Sequence, residues 1–460
     1  MKIQMVLDDH SAHVSKETLA HLETVPKGGV RQVLYPRKSE ATLSSGLFMN
    51  PTSEYRGAPF WAWNCKLDIH ALFKQIDVLK DMGFGGFHIH SRTGMAIPYL
   101  SDEFMEYVRM CNEKAKTNQM LCWLYDEDRW GSGFAGGYVT QDIRNRARYI
   151  VFTSEVFDNT GMASSREEFN RVVENNGNPK GYFIASYEIA LKDGRLHTYR
   201  RLMGDEDVGT NSVIWRAYLE IEKDDPWFNN QTYVNTLDPA ATKKFIEITH
   251  ERYYSKLAND FGGSIPAIFT DEPHFTRKED LRNVGEVRGV VMPFTDDFND
   301  TYKQAYGDEL LDFLPELFWE LPRGQVSVAR YRYYDHLSER FSTAFSDMIG
   351  MWCEAHGIML TGHVLEEPAL FSQTRVVGEA MRSYRSFQLP GIDMLCDNRE
   401  YSTAKQAQSV ARQYDRPGVL SELYGVTNWD FRFTGYKLQG DWQAALGVVA
   451  ACIVCRRFSH

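Results

Sequence analysis

Short apolar runs that end in acidic residues recur along this chain. In I-P-A-I-F-T-D-E-P, at 265–273, an apolar run is followed at once by Asp271 and Glu272. A run this short, rich in Ile and Phe and bounded by proline, predicts a strand that is buried on both faces. Similar runs precede further acids in W-L-Y-D-E-D at 123–128, M-L-T-G-H-V-L-E-E at 359–367 and V-L-S-E-L-Y-G at 419–425. The repetition predicts one parallel barrel with an acidic mouth, the end at which its strands finish.

Amphipathic segments between these runs predict helices. The first predicted strand, F-W-A-W-N at 60–64, leads through Asp68, a helix N-cap, into apolar residues spaced three and four apart. Six further strands are predicted at 83–90, 120–125, 265–270, 358–364, 392–395 and 419–422. The apolar tail at 448–460 is the candidate for an eighth strand. The predicted fold class is therefore α/β, a (β/α)8 TIM-type barrel whose strand eight is either complete or cut short.

The alternation of predicted strands and helices is interrupted between 148 and 223. This region holds alternating segments such as Y-I-V-F-T-S, Y-F-I-A-S-Y-E-I-A-L and V-I-W-R-A-Y-L-E-I-E, separated by Asn, Gly and Asp. Alternation of this kind predicts an inserted antiparallel β module after strand three. We therefore expect an N-terminal leader or decoration at 1–50, barrel strands one to three at 51–147, the β module at 148–235 and the rest of the barrel at 236–460.

Composition and charge narrow the range of functions. The formal net charge of −11 would repel a phosphate backbone, so nucleic acid is not an expected partner. Asp8 and Asp9 interrupt the apolar core that an export signal requires, and no apolar run is long enough to span a membrane. The 7 cysteines are scattered, which argues against a disulfide framework. A cytoplasmic location is therefore predicted.

Two of the acids are placed for glycoside hydrolysis. Glu272 follows strand four and Glu422 lies at the end of strand seven. Glycosidases use one neutral carboxyl to protonate the leaving oxygen and one ionised carboxylate as nucleophile or base. Glu366 and Glu367, which follow strand five, are further candidates for the second role. The sequence therefore predicts a carbohydrate substrate and a catalytic pair that includes Glu272.

Other polar and aromatic residues near the strand ends are candidates for substrate binding. They are Trp63, His88, His90, Arg92, Asp126, Asp128, Asp271, His363 and Tyr424. Aromatic rings stack on sugar faces, whereas the polar groups hold sugar hydroxyls. An alternative is a metal-dependent hydrolase, because the H-x-H pair 88 and 90 points to one side of a strand and, with Asp271 and His363, has suitable ligand types.

The glycines of G-S-G-F-A-G, at 131–136, match the spacing of a dinucleotide-binding loop. A β-rich segment follows them instead of a helix, and no acid ends a second strand about 20 residues later. We therefore predict a loop at the barrel mouth and no nucleotide cofactor.

Several motifs together resemble a known family. They are P-F-W-A-W-N, H-I-H-S-R-T-G-M, W-L-Y-D-E-D-R-W-G-S-G-F-A-G-G, I-F-T-D-E-P-H-F, T-G-H-V-L-E-E-P and L-S-E-L-Y-G. In this order they resemble bacterial glycoside-hydrolase-like proteins related to glycoside hydrolase family 106, the α-L-rhamnosidases. The resemblance implies a (β/α)8 barrel followed by β-sandwich domains, a pair of catalytic glutamates with Glu272 as general acid, and an inverting, calcium-dependent reaction.

Two points stay open at the level of sequence. Acids on strands four and seven commonly belong to retaining enzymes, so the stereochemical outcome is not decided by the resemblance. Relatives of the group continue beyond the last helix, whereas this chain turns into V-V-A-A-C-I-V-C-R-R-F-S-H. We expect a truncated or frameshifted C-terminus, which makes an inactive sugar-binding remnant the third hypothesis. Neither the sugar and its linkage nor an oligomeric state is indicated.

Overall fold

Eight parallel strands form the centre of the protein. The computed structural model describes residues 44–203, 209, 212–396 and 398–453, so most of the expected leader at 1–50 lies outside the described residues. In chain order the barrel strands are β1 (Phe60–Trp63), β2 (Gly86–Ser91) and β3 (Leu121–Tyr125), then β8 (Ala267–Asp271), β10 (Met359–His363), β11 (Leu389–Met394), β12 (Val419–Leu423) and β13 (Val448–Ile453). The intervening numbers belong to strands of a second sheet. The barrel strands pair in the order β1-β2-β3-β8-β10-β11-β12-β13.

The barrel is nearly closed, with one unsealed seam between its first and last strands. At the seam the backbone N–H of Ala58 donates a hydrogen bond to the carbonyl oxygen of Ala451 over 3.0 Å. Every other neighbouring pair of strands is joined by a parallel ladder. The eighth strand comes from the apolar tail segment, as the sequence suggested. The predicted fold class, a TIM-type barrel with an inserted β module, is confirmed.

Helices follow most of the barrel strands and cover the outside of the sheet. The α-helices are Ser45–Met49, Ile69–Asp81, Asp102–Thr117, Arg166–Glu174, Pro239–Phe245, Glu251–Leu257, Phe298–Tyr306, Val328–Phe341, Asp347–Ala355, Leu370–Val376, Ala380–Tyr384, Tyr401–Gln413 and Phe433–Ala445. Single π-helical turns, Ile246–His250 and Ser342–Ser346, join two consecutive pairs. The predicted N-cap is present, since the side chain of Asp68 accepts from Ala71 N, and Ser101 caps helix Asp102–Thr117 in the same way by accepting from Phe104 N.

The inserted sheet is antiparallel and has five strands. These are β4 (Arg148–Thr153), β5 (Gly181–Lys192), β6 (Arg195–Leu202), β7 (Val213–Ile221) and β9 (Val290–Pro293), in the order β6-β5-β7-β4-β9. The alternating segments seen in the sequence are β4, β5 and β7. Strand β6 was not predicted because R-L-H-T-Y-R-R-L is mostly polar, and β9 is only four residues long. Strand β9 lies after the fourth barrel strand in sequence, so two separate segments of chain build this sheet.

Buried side chains fill two layers around the barrel strands. Inside the barrel, Phe60, Trp123 and Phe269 belong to one apolar cluster. Because side chains alternate along a strand, the intervening Trp61 and Trp63 face the helices, where they join a larger cluster. Cys65, Cys111, Cys122, Cys353 and Cys396 are free cysteines. Within the described ranges, no helix combines the length and the apolar character needed to cross a membrane.

Candidate active site at the barrel mouth

Four polar side chains lie at matching positions of neighbouring barrel strands. Asp271 is the last residue of β8 and is in register with His363, the last residue of β10. On the next pair, Asp393 of β11 is in register with Glu422 of β12. Parallel strands in register bring equivalent positions to the same edge of a sheet, so these residues form one cluster at the mouth.

His363 stands between two carboxylates. Its Nε2 atom lies 3.1 Å from an oxygen of Glu422 and 3.3 Å from an oxygen of Asp271. The hydroxyl of Tyr125, at the end of β3, donates to the other oxygen of Asp271 over 2.6 Å. The His363 side chain is only 1% exposed. The cluster is therefore largely removed from water, and its charges interact more strongly than they would on the surface.

The charge of His363 is set by these neighbours. Burial alone lowers the pKa of an imidazole, but the hydrogen bond to Glu422 and the charge of Asp271 raise the pKa of His363 well above its ordinary value. His363 is thus a cation at neutral pH. A protonated imidazole in contact with Glu422 favours the ionised form of that carboxyl.

Glu272 has a different environment. It follows β8 directly with a left-handed backbone (φ 48°), a conformation that costs energy for a residue other than glycine and is concentrated at functional sites. Its backbone N–H donates to the carbonyl oxygen of His363 over 3.0 Å. Burial, followed by the charge of Asp271, raises the pKa of Glu272 to about 8. Glu272 is therefore protonated at neutral pH.

The carboxyls of Asp393 on β11 and Glu422 on β12 also have raised pKa values. Burial, followed by the charge of Glu422, raises the pKa of Asp393 to about 8. Burial raises the pKa of Glu422 to about 7, while the hydrogen bond from His363 opposes that rise. Glu422 is thus the carboxyl in direct contact with a cation, whereas no described residue forms an ion pair with Glu272. The arrangement separates a neutral carboxyl from a carboxyl that is ionised more easily.

Glu366 and Glu367 are adjacent in sequence but have different surroundings. Glu366 is partly exposed and forms an ion pair with Arg277 at 2.5 Å. Glu367 is buried, accepts a short hydrogen bond from the hydroxyl of Tyr384, and accepts a second from the backbone N–H of Asp393 at 3.1 Å. Burial raises the pKa of Glu367 to about 7. Glu367 therefore supports the Asp393 backbone, while Glu366 lies toward the outside of the mouth.

The acids after β3 organise the glycine-rich loop. One oxygen of Glu127 accepts from the backbone N–H groups of Asp128 and Gly136, at 2.8 and 2.6 Å. The other accepts from Gly133 and Ala135, at 3.0 and 2.7 Å. Gly133 and Gly136 both have positive φ, which explains the glycines. The G-S-G-F-A-G segment therefore wraps round the buried carboxyl group of Glu127.

Asp126 and Asp128 flank that carboxylate. Asp126 accepts from the Ser132 hydroxyl at 2.6 Å, and the same hydroxyl oxygen accepts from the backbone N–H of Asp271 at 2.8 Å. Burial raises the pKa of Asp126 to about 8. Asp128 is bound by Arg129 at 2.6 Å and by Asn229 at 3.2 Å. Ser132 thus links the loop to the strand end that presents Glu272.

The other predicted residues lie around or below this cluster. His88 and His90 point into the barrel, where His88 packs on Trp123 and His90 on Tyr125, with ring centroids 4.9 and 4.1 Å apart. Trp63 packs on the outer side of the sheet against Phe104 of helix Asp102–Thr117, with ring centroids 5.7 Å apart. The hydroxyl of Tyr424 donates to the carbonyl oxygen of Tyr436 at 3.0 Å. Arg92 lies over the ring of Trp130 at 4.3 Å.

Four residues of the site were not singled out from the sequence. Asp393 is an acid inside the apolar strand L-P-G-I-D-M, and this interruption is the signal that could have identified it. The other three residues are Tyr384, Ser132 and Glu127. Each acts through a contact with a residue 6 to 17 positions away in the sequence or with a backbone amide. No sequence pattern indicates those contacts.

One group of side chains has the geometry of a metal site. Potential ligand atoms of Asp271, His363 and Glu422 lie within 4.8 Å of one another, and the described chain contains no second group of this kind. His88 and His90 are not part of it. Calcium takes six to eight oxygen ligands, whereas this group offers two carboxylates and a nitrogen that contacts both of them. The donor set fits calcium poorly, so no step of the reaction is assigned to a metal.

The comparisons with known proteins bear on the fold. No protein-family model matches the sequence, and no curated protein sequence is similar to it. Among solved structures, a rhamnosidase from Novosphingobium sp. PP1Y is similar with a TM-score of 0.62 and 12% sequence identity. The similarity covers 89% of this chain and 56% of that rhamnosidase, so the chain spans just over half of its length. The chain therefore shares its overall fold, distantly, with that rhamnosidase.

Proposed function

We propose that this protein is a glycoside hydrolase that removes a terminal sugar by carboxylate acid–base catalysis. The observation that carries the proposal is the pair Glu272 and Glu422 at one barrel mouth, where burial makes Glu272 a neutral acid and His363 supplies Glu422 with a cationic partner. Glycoside hydrolysis requires one carboxyl that keeps its proton and a second that ionises more easily. The glycoside-hydrolase-like fold supports the same function.

Glu272 acts as general acid in this proposal. Its carboxyl protonates the glycosidic oxygen as the bond to the anomeric carbon breaks, and the electron pair of that bond leaves with the oxygen. Glu422 acts on the opposite side, either as a nucleophile that forms a glycosyl–enzyme bond or as a base that takes a proton from water. Asp271 and Tyr125 position His363, which stabilises the negative charge of Glu422 before the reaction.

The finer assignment follows the resemblance. An α-L-rhamnoside is the first substrate to test, because the similar solved structure is a rhamnosidase. A cytoplasmic location and a bacterial source stay predictions. The calcium requirement is what the family resemblance implies, and the donor set at the barrel mouth fits it poorly. The H-x-H metal hydrolase is less well supported, because His88 and His90 are packed among aromatic rings inside the barrel.

The test is sugar release from a panel of 4-nitrophenyl glycosides that includes the α-L-rhamnoside. Wild-type protein and the Glu272→Gln and Glu366→Gln variants are compared. Release that is abolished only by Glu272→Gln supports the proposal. Nuclear magnetic resonance of the first product formed separates retention from inversion. Binding of a sugar without release by folded protein would contradict the enzymatic proposal and support the sugar-binding alternative.

A further inference from the structure

Arg92 differs from the other arginines at the barrel mouth. It directly follows β2, and the structure gives its guanidinium no hydrogen bond or ion pair with any described residue. Arg129 is bound to Asp128 at 2.6 Å, and Arg277 to Glu366 at 2.5 Å. Unpaired arginine so close to many carboxylates is unexpected, because a salt bridge is the usual outcome.

The neighbouring acids do not pair with Arg92 because they have partners of their own. Asp271 is bound by Tyr125 and His363, and Asp126 by Ser132. Arg92 nevertheless lies within their electrostatic range, since its charge opposes the rise in the pKa of Tyr125, whose hydroxyl contacts Asp271. The guanidinium therefore belongs to the same mouth as the catalytic cluster.

The orientation of Arg92 is fixed by Trp130. The guanidinium carbon lies 4.3 Å from the centre of the Trp130 ring, a cation–π contact. Trp130 is held in turn, because Trp227 donates to its carbonyl oxygen at 2.6 Å and the two rings meet edge to face. Stacking uses one face of the guanidinium and leaves the N–H groups at its edge available.

This arrangement lies beside the proposed general acid. The residue after Trp130 is Gly131, and a Cβ atom at that position would lie 2.7 Å from the carbonyl oxygen of Glu272. The next residue, Ser132, donates its backbone N–H to the carbonyl oxygen of Asp271 at 2.8 Å. The loop that carries Trp130 thus runs along the backbone of Asp271 and Glu272. The stacked pair Arg92 and Trp130 is therefore joined through this loop to the strand end that presents Glu272.

We propose that Arg92 binds a sugar carboxylate, so that the preferred substrate is a uronate-containing glycoside. An edge of the guanidinium donates two parallel N–H bonds, which match the two oxygens of a carboxylate. A neutral sugar hydroxyl does not use this geometry. This inference depends on the proposed function in one respect only, namely that the barrel mouth binds a sugar.

The probe is a set of uronate-containing oligosaccharides from partial hydrolysis of an acidic plant polysaccharide. The matched preparation is the same set after reduction of its carboxylates to primary alcohols. Affinity is measured by calorimetry with wild type, Arg92→Gln, Arg92→Lys and Arg129→Gln, and folding is checked by circular dichroism. Arg129→Gln is the control, because that arginine is already paired with Asp128.

We expect wild type to bind the acidic preparation at least about tenfold more tightly than the reduced one. Arg92→Gln loses that preference and binds the reduced preparation as before, Arg92→Lys keeps part of the preference, and Arg129→Gln keeps all of it. Equal binding of both preparations by wild type, including no binding of either, overturns the proposal, as does a preference that survives Arg92→Gln. Sugar release is measured in a separate assay. The role of Arg92 is therefore still tested by binding if the protein releases no sugar.

Discussion

Replacing Glu272 by Gln is the substitution that tests the acid–base assignment most directly. The amide has almost the same shape as a protonated carboxyl, but it has no acidic proton for the glycosidic oxygen. General acid catalysis contributes about 10²- to 10⁴-fold to a rate, so kcat should fall by that factor. The loss should be larger for an alkyl glycoside than for a 4-nitrophenyl glycoside, because a poorer leaving group depends more on protonation.

The same substitution has an effect on stability whose sign follows from the pKa. Burial raises the pKa of Glu272 from 4.5 to about 8 in the folded protein. The folded protein therefore holds the Glu272 proton more tightly than the unfolded chain does. Because of this, the contribution of Glu272 to the free energy of unfolding is present at acidic pH and is lost as pH rises through about 8. Each pKa unit corresponds to about 1.4 kcal/mol. The raised pKa of Glu272 therefore lowers the free energy of unfolding of wild type by up to about 5 kcal/mol between pH 4 and 9. The neighbouring carboxyls share the interaction, so this value is an upper bound.

The assay is urea unfolding at pH 6, 7, 8 and 9, together with kcat on both glycosides. The free energy of unfolding of Glu272→Gln should depend less on pH in this range than that of wild type. Glu366→Gln is the matched control, because Glu366 is partly exposed and paired with Arg277. It should change kcat by less than about threefold, as expected for an exposed ion pair. Retention of more than a tenth of kcat by Glu272→Gln on the alkyl glycoside would refute the assignment.

Three further predictions concern the surrounding groups. Glu422→Gln removes the ionised carboxylate, so kcat should fall at least about 100-fold on both glycosides. An equal fall on the alkyl and the 4-nitrophenyl glycoside would separate the role of Glu422 from that of Glu272. Glu127→Gln cannot accept all four backbone hydrogen bonds, so urea unfolding should show a loss of about 3 kcal/mol; an unchanged midpoint would contradict the loop assignment. EDTA should leave activity within about twofold at pH 6, because His363 is protonated between the two carboxylates; a loss that calcium restores would instead support the requirement implied by the family resemblance.

The strands and the positions of several acids could be predicted from sequence because they depend on local pattern. The run that ends at Asp271 is apolar on both faces and bounded by proline, which is enough to identify a buried strand and its acidic end. The cap Asp68 could be predicted for the same reason, since a cap accepts from a backbone N–H three residues away. Glu272 could therefore be selected from the local pattern alone.

The sequence could not show which side of a buried strand faces the barrel interior. In F-W-A-W every residue is apolar, so Trp63 was a reasonable substrate-binding candidate, yet alternation places it against helix Asp102–Thr117. The same ambiguity hid Asp393, because its strand carries no other polar side chain to indicate the inner face. Only the register between β11 and β12 brings Asp393 beside Glu422.

Charge states and partners were decided by tertiary structure alone. Glu272, Glu366 and Glu367 are the same residue type, but Glu272 is largely buried with no ion-pair partner among the described residues, Glu366 pairs with Arg277 and Glu367 is bound by Tyr384. The pKa of a carboxyl depends on burial and on charges within a few ångströms, and these come from residues distant in sequence. The sequence by itself thus determined the barrel and the acids at its mouth, whereas packing determined which acid keeps its proton.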